Sequence, residues 1–313
     1  MLENLKILPE YDGFIYYAES SRNPPRLNSH HHQELEINMV VNGTIKYVAN
    51  GQRYTFEKRS LIWFFPNQEH QMVDRSRDAQ YYVVVFKPKL VAKSCKNDTY
   101  QDLANKKRSS EILHSLLEPE TFDLMKKIMD SLMEGALDAD ILNREAGFGF
   151  QSDFVFRHGD PVALNAGLHY LLLLSWRCRE NGRALRRPVP LHPAVNNALD
   201  FIGSNPWNSS LDALSLKSGL SSSYLSRLFK EQIGISISKY RNMVRLDLFF
   251  EIINRPVRPT ITEAVYEAGF GSYSQFYKVY YESYGKGPKT VNEVAKSNKS
   301  QKKSHFVPKL PIK

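Results

Sequence analysis

The sequence predicts an α+β multidomain chain: an N-terminal β-barrel, a helical middle region, and a C-terminal all-α domain made of two helix-turn-helix units. Three observations carry that expectation. Apolar residues alternate with polar ones, between strong turn signals, through about residue 90. The apolar period then lengthens to three and four between 99 and 187. Beyond Leu211, one pattern of short helix, glycine turn and second helix is written twice.

In residues 1–98, the segments 45–48 (Ile-Lys-Tyr-Val) and 54–56 (Tyr-Thr-Phe) alternate as half-buried strands do. Asn50-Gly51 between them is a hairpin-turn signal. The runs 61–65 (Leu-Ile-Trp-Phe-Phe) and 81–86 (Tyr-Tyr-Val-Val-Val-Phe) have strand length and strand composition. Short strands at such intervals fit a sandwich or barrel.

Within this region His30, His32 and Glu36 precede Gly43, and Pro66 precedes His70. That spacing resembles the first motif of the cupin superfamily, so the barrel is expected to be cupin-like. Even spacing places positions 30, 32 and 36 on one strand face. The resemblance implies that two histidines, the glutamate and a histidine from another strand surround a metal, a donor set suited to Zn²⁺, Mn²⁺, Fe²⁺ or Ni²⁺. The second motif departs from the pattern: Asn-Gln follows Pro66, and His70 falls one residue early. Two readings stay open. One is a divalent metal at His30, His32, Glu36 and His70. The other is an organic effector held by these residues with Tyr47 and Trp63, and no cofactor. Aromatic faces beside a few polar groups line small-molecule sites, although aromatic residues also simply fill cores.

Residues 99–187 read as a helical linker and dimerisation region. Phe122, Met125, Met129, Leu132 and Leu137 recur on one helical face behind Glu118-Pro119. A second helix is expected over about 162–179, after Asp160-Pro161, with Leu168, Leu171, Leu172 and Trp176 on its apolar side. The pair is expected to form a dimer interface; the alternative is that it only covers the barrel. The aromatic segment 148–156 has no assignment. Residues 182–190, basic and bracketed by prolines, read as an extended linker. A helix through Val195, Ala198, Leu199 and Ile202 then opens the last domain, 188–295.

In the first copy of the duplicated pattern, Leu211, Leu214 and Leu216 are expected to face inward and Gly219 to make the turn. Ser221 or Ser222 caps the second helix, whose inner face is Leu225, Leu228 and Phe229. Its outer face then shows Ser223, Ser226 and Arg227: short hydrogen-bonding groups and a guanidinium that can take guanine or phosphate. In the second copy Gly269 makes the turn and Phe276, Val279 and Tyr280 face inward. Tyr273, Ser274, Tyr277 and Lys278 face out. The connection 236–254 repeats Ile237, Tyr240, Val244, Leu248 and Ile252 with a helical period. A rigid connecting helix can hold the two outer faces about one DNA turn apart, ~34 Å, for adjacent major grooves.

Net charge is weak support for DNA binding here. Of the formal +9, six lysines and no acid lie in 296–313, which reads as a basic disordered tail, whereas 192–295 holds 11 Lys/Arg against 9 Asp/Glu. Two distant cysteines, Cys95 and Cys178, argue against a disulfide framework or a cysteine zinc site. No run approaches the roughly 18–20 apolar residues of a membrane span, and Met1 opens no leader pattern. A cytoplasmic protein without a membrane partner is expected.

The segment 190–292 resembles the AraC/XylS family of bacterial transcription regulators. The resemblance rests on 211–214 (Leu-Asp-Ala-Leu), on Gly219-Leu-Ser and Tyr224-Leu-Ser-Arg-Leu-Phe-Lys230, on Gly234-Ile-Ser236, on Tyr240 with Arg245-Leu246, and on Gly269-Phe270 through Phe276 to Pro288. With the barrel in front, it extends to the whole architecture. It implies sequence-specific binding of double-stranded DNA under a small-molecule effector such as a sugar, and no enzyme activity. It further implies a homodimer, RNA polymerase as partner if the chain activates, and nucleoid association on DNA. By motif position, base contacts fall on Ser223, Ser226, Arg227, Tyr273, Ser274, Tyr277 and Lys278. The chain departs in Phe249-Phe250, where a small alanine is usual, and in Ala264 for a common isoleucine. Tyr280-Tyr281 replaces the usual Phe-Lys and removes a phosphate-binding lysine. The reading from another class is a metal-binding cupin enzyme, or a metal-dependent sensor, fused to the DNA-binding domain.

Overall fold

The computed structural model describes residues 5, 7–20, 29–104, 112–136, 156–179, 188–253, 255, 257, 259–284 and 287–288. The expectations for Leu137, 148–155, 182–187, Gly285 and 296–313 fall outside them.

Strand alternation builds the N-terminal half: β1 (Gly13–Glu19), β2 (Leu35–Asn42), β3 (Thr44–Ala49), β4 (Gln52–Glu57), β5 (Ser60–Phe64), β6 (Gln71–Arg75) and β7 (Gln80–Phe86). With β8 (Leu113–Leu116) and β9 (Val189–Pro190) they form two antiparallel sheets, ordered β1-β7-β2-β5-β8 and β6-β3-β4-β9. Pairing of β2 with β7 and of β3 with β6 is nested, the wrapping in which two sheets face each other. Asn50 and Gly51 take φ of 50° and 70°, the positive angles that an Asn-Gly hairpin turn requires.

Helices cover one outer face of this pair of sheets. α1 (Pro88–Ser94) and a short 3₁₀ turn (Asp98–Ala104) follow β7. α2 (Pro119–Glu134) buries Phe122, Met125, Met129 and Leu132. α3 (Pro161–Cys178) buries Leu164, Leu168, Leu171, Leu172 and Trp176, and the Asp160 side chain caps it at the Ala163 amide. All of these side chains belong to the same core as the strands, and the Tyr82 hydroxyl of β7 donates to Asp130 of α2. The region after residue 98 is not purely helical. β8 pairs with β5, setting Leu113 against Trp63; four residues, Leu-His-Ser-Leu, are too few to display a period.

The C-terminal half consists of α4 (Pro193–Ser204), α5 (Leu211–Ser218), α6 (Ser222–Ile233), α7 (Ile237–Ile253), α8 (Ile261–Glu267) and α9 (Tyr273–Tyr284). Serine caps recur where the sequence offers them: the Ser210 hydroxyl accepts from the Ala213 amide and Ser221 from Tyr224. Thr260 and Glu263 complete a capping box at α8. Leu216 corrects one expectation. Leu214 is buried, but Leu216 is 87 % exposed. Two residues along a helix turn the side chain through about 200°, so both cannot face the same core. The two turns use glycine for different reasons. Gly219 sits at φ 68° with open space around it, a purely conformational demand. Gly269, at φ 88°, also leaves no room, because a Cβ there would stand 2.8 Å from Trp207 Cα.

The cores divide unevenly. Leu214, Leu225, Phe229, Ile233, Tyr240 and Val244 form one cluster, and Val48 and Val73 of the four-stranded sheet belong to it. Phe249, Phe250, Ala264, Val265, Phe270, Phe276 and Tyr280 form another, drawn wholly from α7, α8, α9 and their connections. The first unit therefore shares its core with the sheet, and the second has its own. The end of the linker is docked as well: β9 pairs with edge strand β4, and Leu191 N donates to Gly51 O at 2.7 Å. Proline is tolerated there because the edge of a sheet need not supply every amide.

Candidate effector site and DNA-reading surface

Register decides which side chains enter the space between the sheets. Glu36 stands opposite Phe64 and Val85, and Asn38 opposite Ile62 and Val83, so these point inward together. Tyr47 meets them from the other sheet, its ring centroid 5.0 Å from Phe64. His70 lies flat on Phe64, 4.0 Å between centroids and 15° between planes. The segments bearing the histidines are joined by main chain: His30 N donates to His70 O at 3.1 Å and His70 N to His30 O at 2.9 Å.

Glu36, His32 and His70 are buried together. His32 Nε2 lies 3.2 Å from Glu36 Oε2, while Asn38 Nδ2 donates to Glu36 Oε1 at 2.9 Å and sits 3.2 Å from the Tyr47 hydroxyl. Burial alone would raise the Glu36 carboxyl. The hydrogen bond from His32, the charges of His70 and His32, and the bond from Asn38 outweigh it and hold the group below the ordinary carboxylate value. His32 Nδ1 faces Glu34 O at 3.1 Å and His70 Nδ1 faces Gln68 O at 2.9 Å. A backbone acceptor at Nδ1 fixes each ring and turns its Nε2 towards the interior, the arrangement that supports metal-ligating histidines. Among the described residues, donor atoms of His32, Glu36 and His70 lie within 4.8 Å of one another, so this trio fits a divalent cation. His30 stands outside that group, with its ring 4.3 Å from His70.

Trp63 is not brought to this site. It pairs with Ile37 and Leu113, on the opposite face of the sheet from Glu36 and Phe64. Phe65, two residues further along the chain, meets Trp176 of α3 edge-on at 6.3 Å. Trp63 is thus part of the packing under the helices. Asn38, which sequence reasoning missed, takes part instead; its position two residues after Glu36 was the available signal.

The outer face of the four-stranded sheet meets the first helix-turn-helix unit. Gln71, next to His70 but pointing the other way, donates from Nε2 to the Tyr240 hydroxyl of α7 at 2.6 Å, and both are buried. Burial pushes the Tyr240 phenol well above its usual value, so it stays neutral. Arg53 of β4 donates to the carbonyls of Gln232 and, at 3.3 Å, of Glu231, two of the groups that the end of α6 leaves without helical partners. The C-terminal end of α6 is therefore held against the sheet.

Its other end is open. Ser223 and Arg227 are exposed and Ser226 half-buried, as are the exposed Tyr273, Ser274, Tyr277 and Lys278 of α9. The inner faces match expectation: Leu225, Phe229, Phe276 and Tyr280 are buried, with Leu228 and Val279 at the margin. α7 bridges the units, and Arg245 Nε and Arg241 Nη1 tie it to the loop before α5 through Pro206 O and Ser209 O, both at 2.8 Å.

A nested two-sheet sensor joined to a pair of helix-turn-helix units defines a ligand-binding module fused to a DNA-binding one. Residues 13–148 match the family described as AraC-like ligand binding domain, and residues 214–293 match a helix-turn-helix domain family. The chain belongs to the AraC family of transcription regulators, with an N-terminal sensor and a DNA-binding half controlled by a small-molecule effector. No curated protein matches it. Solved structures with which it aligns include ToxT from Vibrio cholerae, at 13 % identity over 90 % of this chain and 97 % of that one, with a TM-score of 0.34. Others are the AraC-like transcriptional activator CuxR, at 12 % identity over 68 % and 66 % with TM-score 0.29, and the C-terminal domain of AraT from Geobacillus stearothermophilus. The last is 20 % identical over 39 % of this chain and 93 % of that one, also with TM-score 0.29. Among the described residues no helix is long and apolar enough to cross a membrane.

Proposed function

We propose that the chain reads an asymmetric DNA site through α6 and α9 in adjacent major grooves, and that occupancy of the site around Glu36 governs how α6 is presented. The observation that carries this reading is the start of β6: His70, just before it, groups with Glu36, while its neighbour Gln71, the first residue of β6, is bonded to Tyr240 of the DNA-binding half. A ligand that alters one side has a short path to the other, and biases two arrangements of a packed interface. An ionised carboxylate beside Asn38 and Tyr47 favours a neutral, hydroxyl-bearing molecule such as a sugar over an anion. The chain is read as a non-enzymatic cytoplasmic regulator whose finer partners are RNA polymerase, when it activates, and a second copy of itself. The outer side of α2 and α3, where Leu124 and Tyr170 are exposed, is the face proposed for that copy.

The test is selection of DNA from a random pool by the full chain, followed by footprinting. Failure to enrich any sequence sinks the reading. On the selected site, Arg227→Ala is expected to weaken specific binding by about 1–3 kcal/mol while leaving random DNA less affected. Equal losses on both would make Arg227 a phosphate contact. The interface has its own check. Gln71→Ala and Tyr240→Phe are expected to be non-additive in denaturant unfolding, with a coupling of about 0.5–1.5 kcal/mol; strict additivity would remove the path from β6 to α7.

A second reading, a metal-dependent sensor, is favoured by the donor trio His32, Glu36 and His70. In that case the trio would hold a divalent cation, which would serve as the effector or as its anchor.

A further inference from the structure

We infer that the two units read DNA by different chemistry, and that α9 recognises thymine 5-methyl groups through a stripe of tyrosine rings. This rests on the proposed DNA reading and deepens it. Tyr273, Tyr277 and Tyr281 stand at steps of four, so they follow one another along one side of α9. They are 38, 44 and 52 % exposed, although whole tyrosine rings on a surface leave apolar area in water. The stripe borders the core, which Phe276 and Tyr280 complete on the adjoining face. The Tyr273 ring lies 5.8 Å from Phe276 and the edge of Tyr277 lies beside Gly287, yet each tyrosine keeps more than a third of its surface exposed. The rings of Tyr277 and Tyr281 are nearly parallel, 11° apart in plane with centroids 6.3 Å apart, and make a continuous apolar wall.

The contrast with α6 is chemical. There the corresponding face carries Ser223, Ser226 and Arg227, with the guanidinium 5.3 Å from the Tyr224 ring. Those groups address hydrogen-bonding edges, above all guanine. On α9 the only cation at the reading positions is Lys278. What the tyrosines offer instead is flat apolar surface, and the apolar feature of the major groove is the thymine methyl group. Tyr273 and Tyr277 lie in the first half of α9, the end that meets base edges in such motifs, and Tyr281 backs Tyr277. The half-site under α9 is therefore specified by thymines, whereas that under α6 is specified by purine edges.

The experiment uses the full chain and the site recovered by selection. Thymines of the α9 half-site are replaced singly by deoxyuridine, which removes the methyl and keeps every hydrogen-bonding edge. A loss of about fourfold in affinity per contacted methyl is expected, with no such loss for replacements under α6. Tyr277→Phe should keep the methyl sensitivity and Tyr277→Ala should abolish it; Tyr277 is 44 % exposed, so folding, followed by circular dichroism, should be unchanged in both variants. Equal affinity for thymine and deoxyuridine sites overturns the inference while leaving the DNA reading intact. So does loss of discrimination in Tyr277→Phe, which would assign the reading to the hydroxyl. Recovery of no site at all overturns both.

Discussion

Phe276→Ala is expected to unfold the second helix-turn-helix unit while leaving the sensor and the first unit folded. The ring is fully buried, with centroids of Phe249, Phe270 and Tyr280 at 4.5, 5.4 and 5.6 Å. Truncating a buried phenylalanine costs about 3–5 kcal/mol, through lost transfer energy and the cavity left behind. That is a large share of what a small unit has to spare. The damage stays local because the cluster holding Phe276 includes no residue of the sheets, unlike the cluster of the first unit. Denaturant unfolding should show an early transition carrying the α8–α9 signal, then an unshifted main one. The footprint should shrink to the half-site under α6. A single cooperative transition moved as a whole would mean that α7 transmits the loss, and that the units are not separable.

The same cluster explains two departures that look unrelated in sequence. Phe249-Phe250 are larger than the usual residues of the connecting helix, and Ala264 is smaller than the usual isoleucine. In three dimensions they share one core, where a larger residue at one position leaves room for a smaller one at another. Neither substitution alone predicts that; it requires knowing that α7 and α8 touch.

Legibility followed the range of the interactions. Helix starts at Pro119, Pro161 and Pro193, caps at Ser210, Ser221 and Thr260, and the Asn50-Gly51 turn all depend on neighbours within a few residues, and the sequence displays them. Glu36 and Asn38 share a face because a strand's period is two. His30 and His32, by contrast, precede β2 across a bend at 33–34, so the expected single strand carrying 30, 32 and 36 does not form and tertiary contacts bring His32 to Glu36. Trp63 misled because residues 61–65 are apolar throughout, as strands covered on both faces are, so composition does not say which side turns inward. The bond between Gln71 and Tyr240, 169 residues apart, and the two-residue strand β9 have no local signature. Both help to join sensor to reader, beside the Arg53 bonds to the end of α6 and the shared core at Val48 and Val73.

Glu36→Ala is expected to have the largest effect within the sensor. The carboxylate accepts from Asn38 Nδ2 and meets His32 Nε2, with all three side chains buried. Removing it takes a charged acceptor from Asn38 Nδ2 and His32 Nε2 in an interior lined by Tyr47, Phe64 and Val85. Losing a hydrogen bond to a charged group inside a protein costs about 1.5–3 kcal/mol, and this carboxylate makes two such contacts. Glu36→Gln keeps one acceptor oxygen and should cost less, so the order wild type, glutamine, alanine is expected in urea midpoints. Equal midpoints for all three would mean that water or a shift of His32 replaces the carboxylate at little cost. The two sensor readings then part on a second measurement with the same proteins. If the trio holds a cation, elemental analysis after dialysis against zinc or manganese should find about one ion per wild-type chain and none in either variant. If an organic effector occupies the site, wild type and variants should be alike in metal content, and only the response of DNA occupancy to that effector should separate them. Because His70, grouped with Glu36, is followed directly by Gln71, bonded to Tyr240, either occupant would act on α6 by the same route.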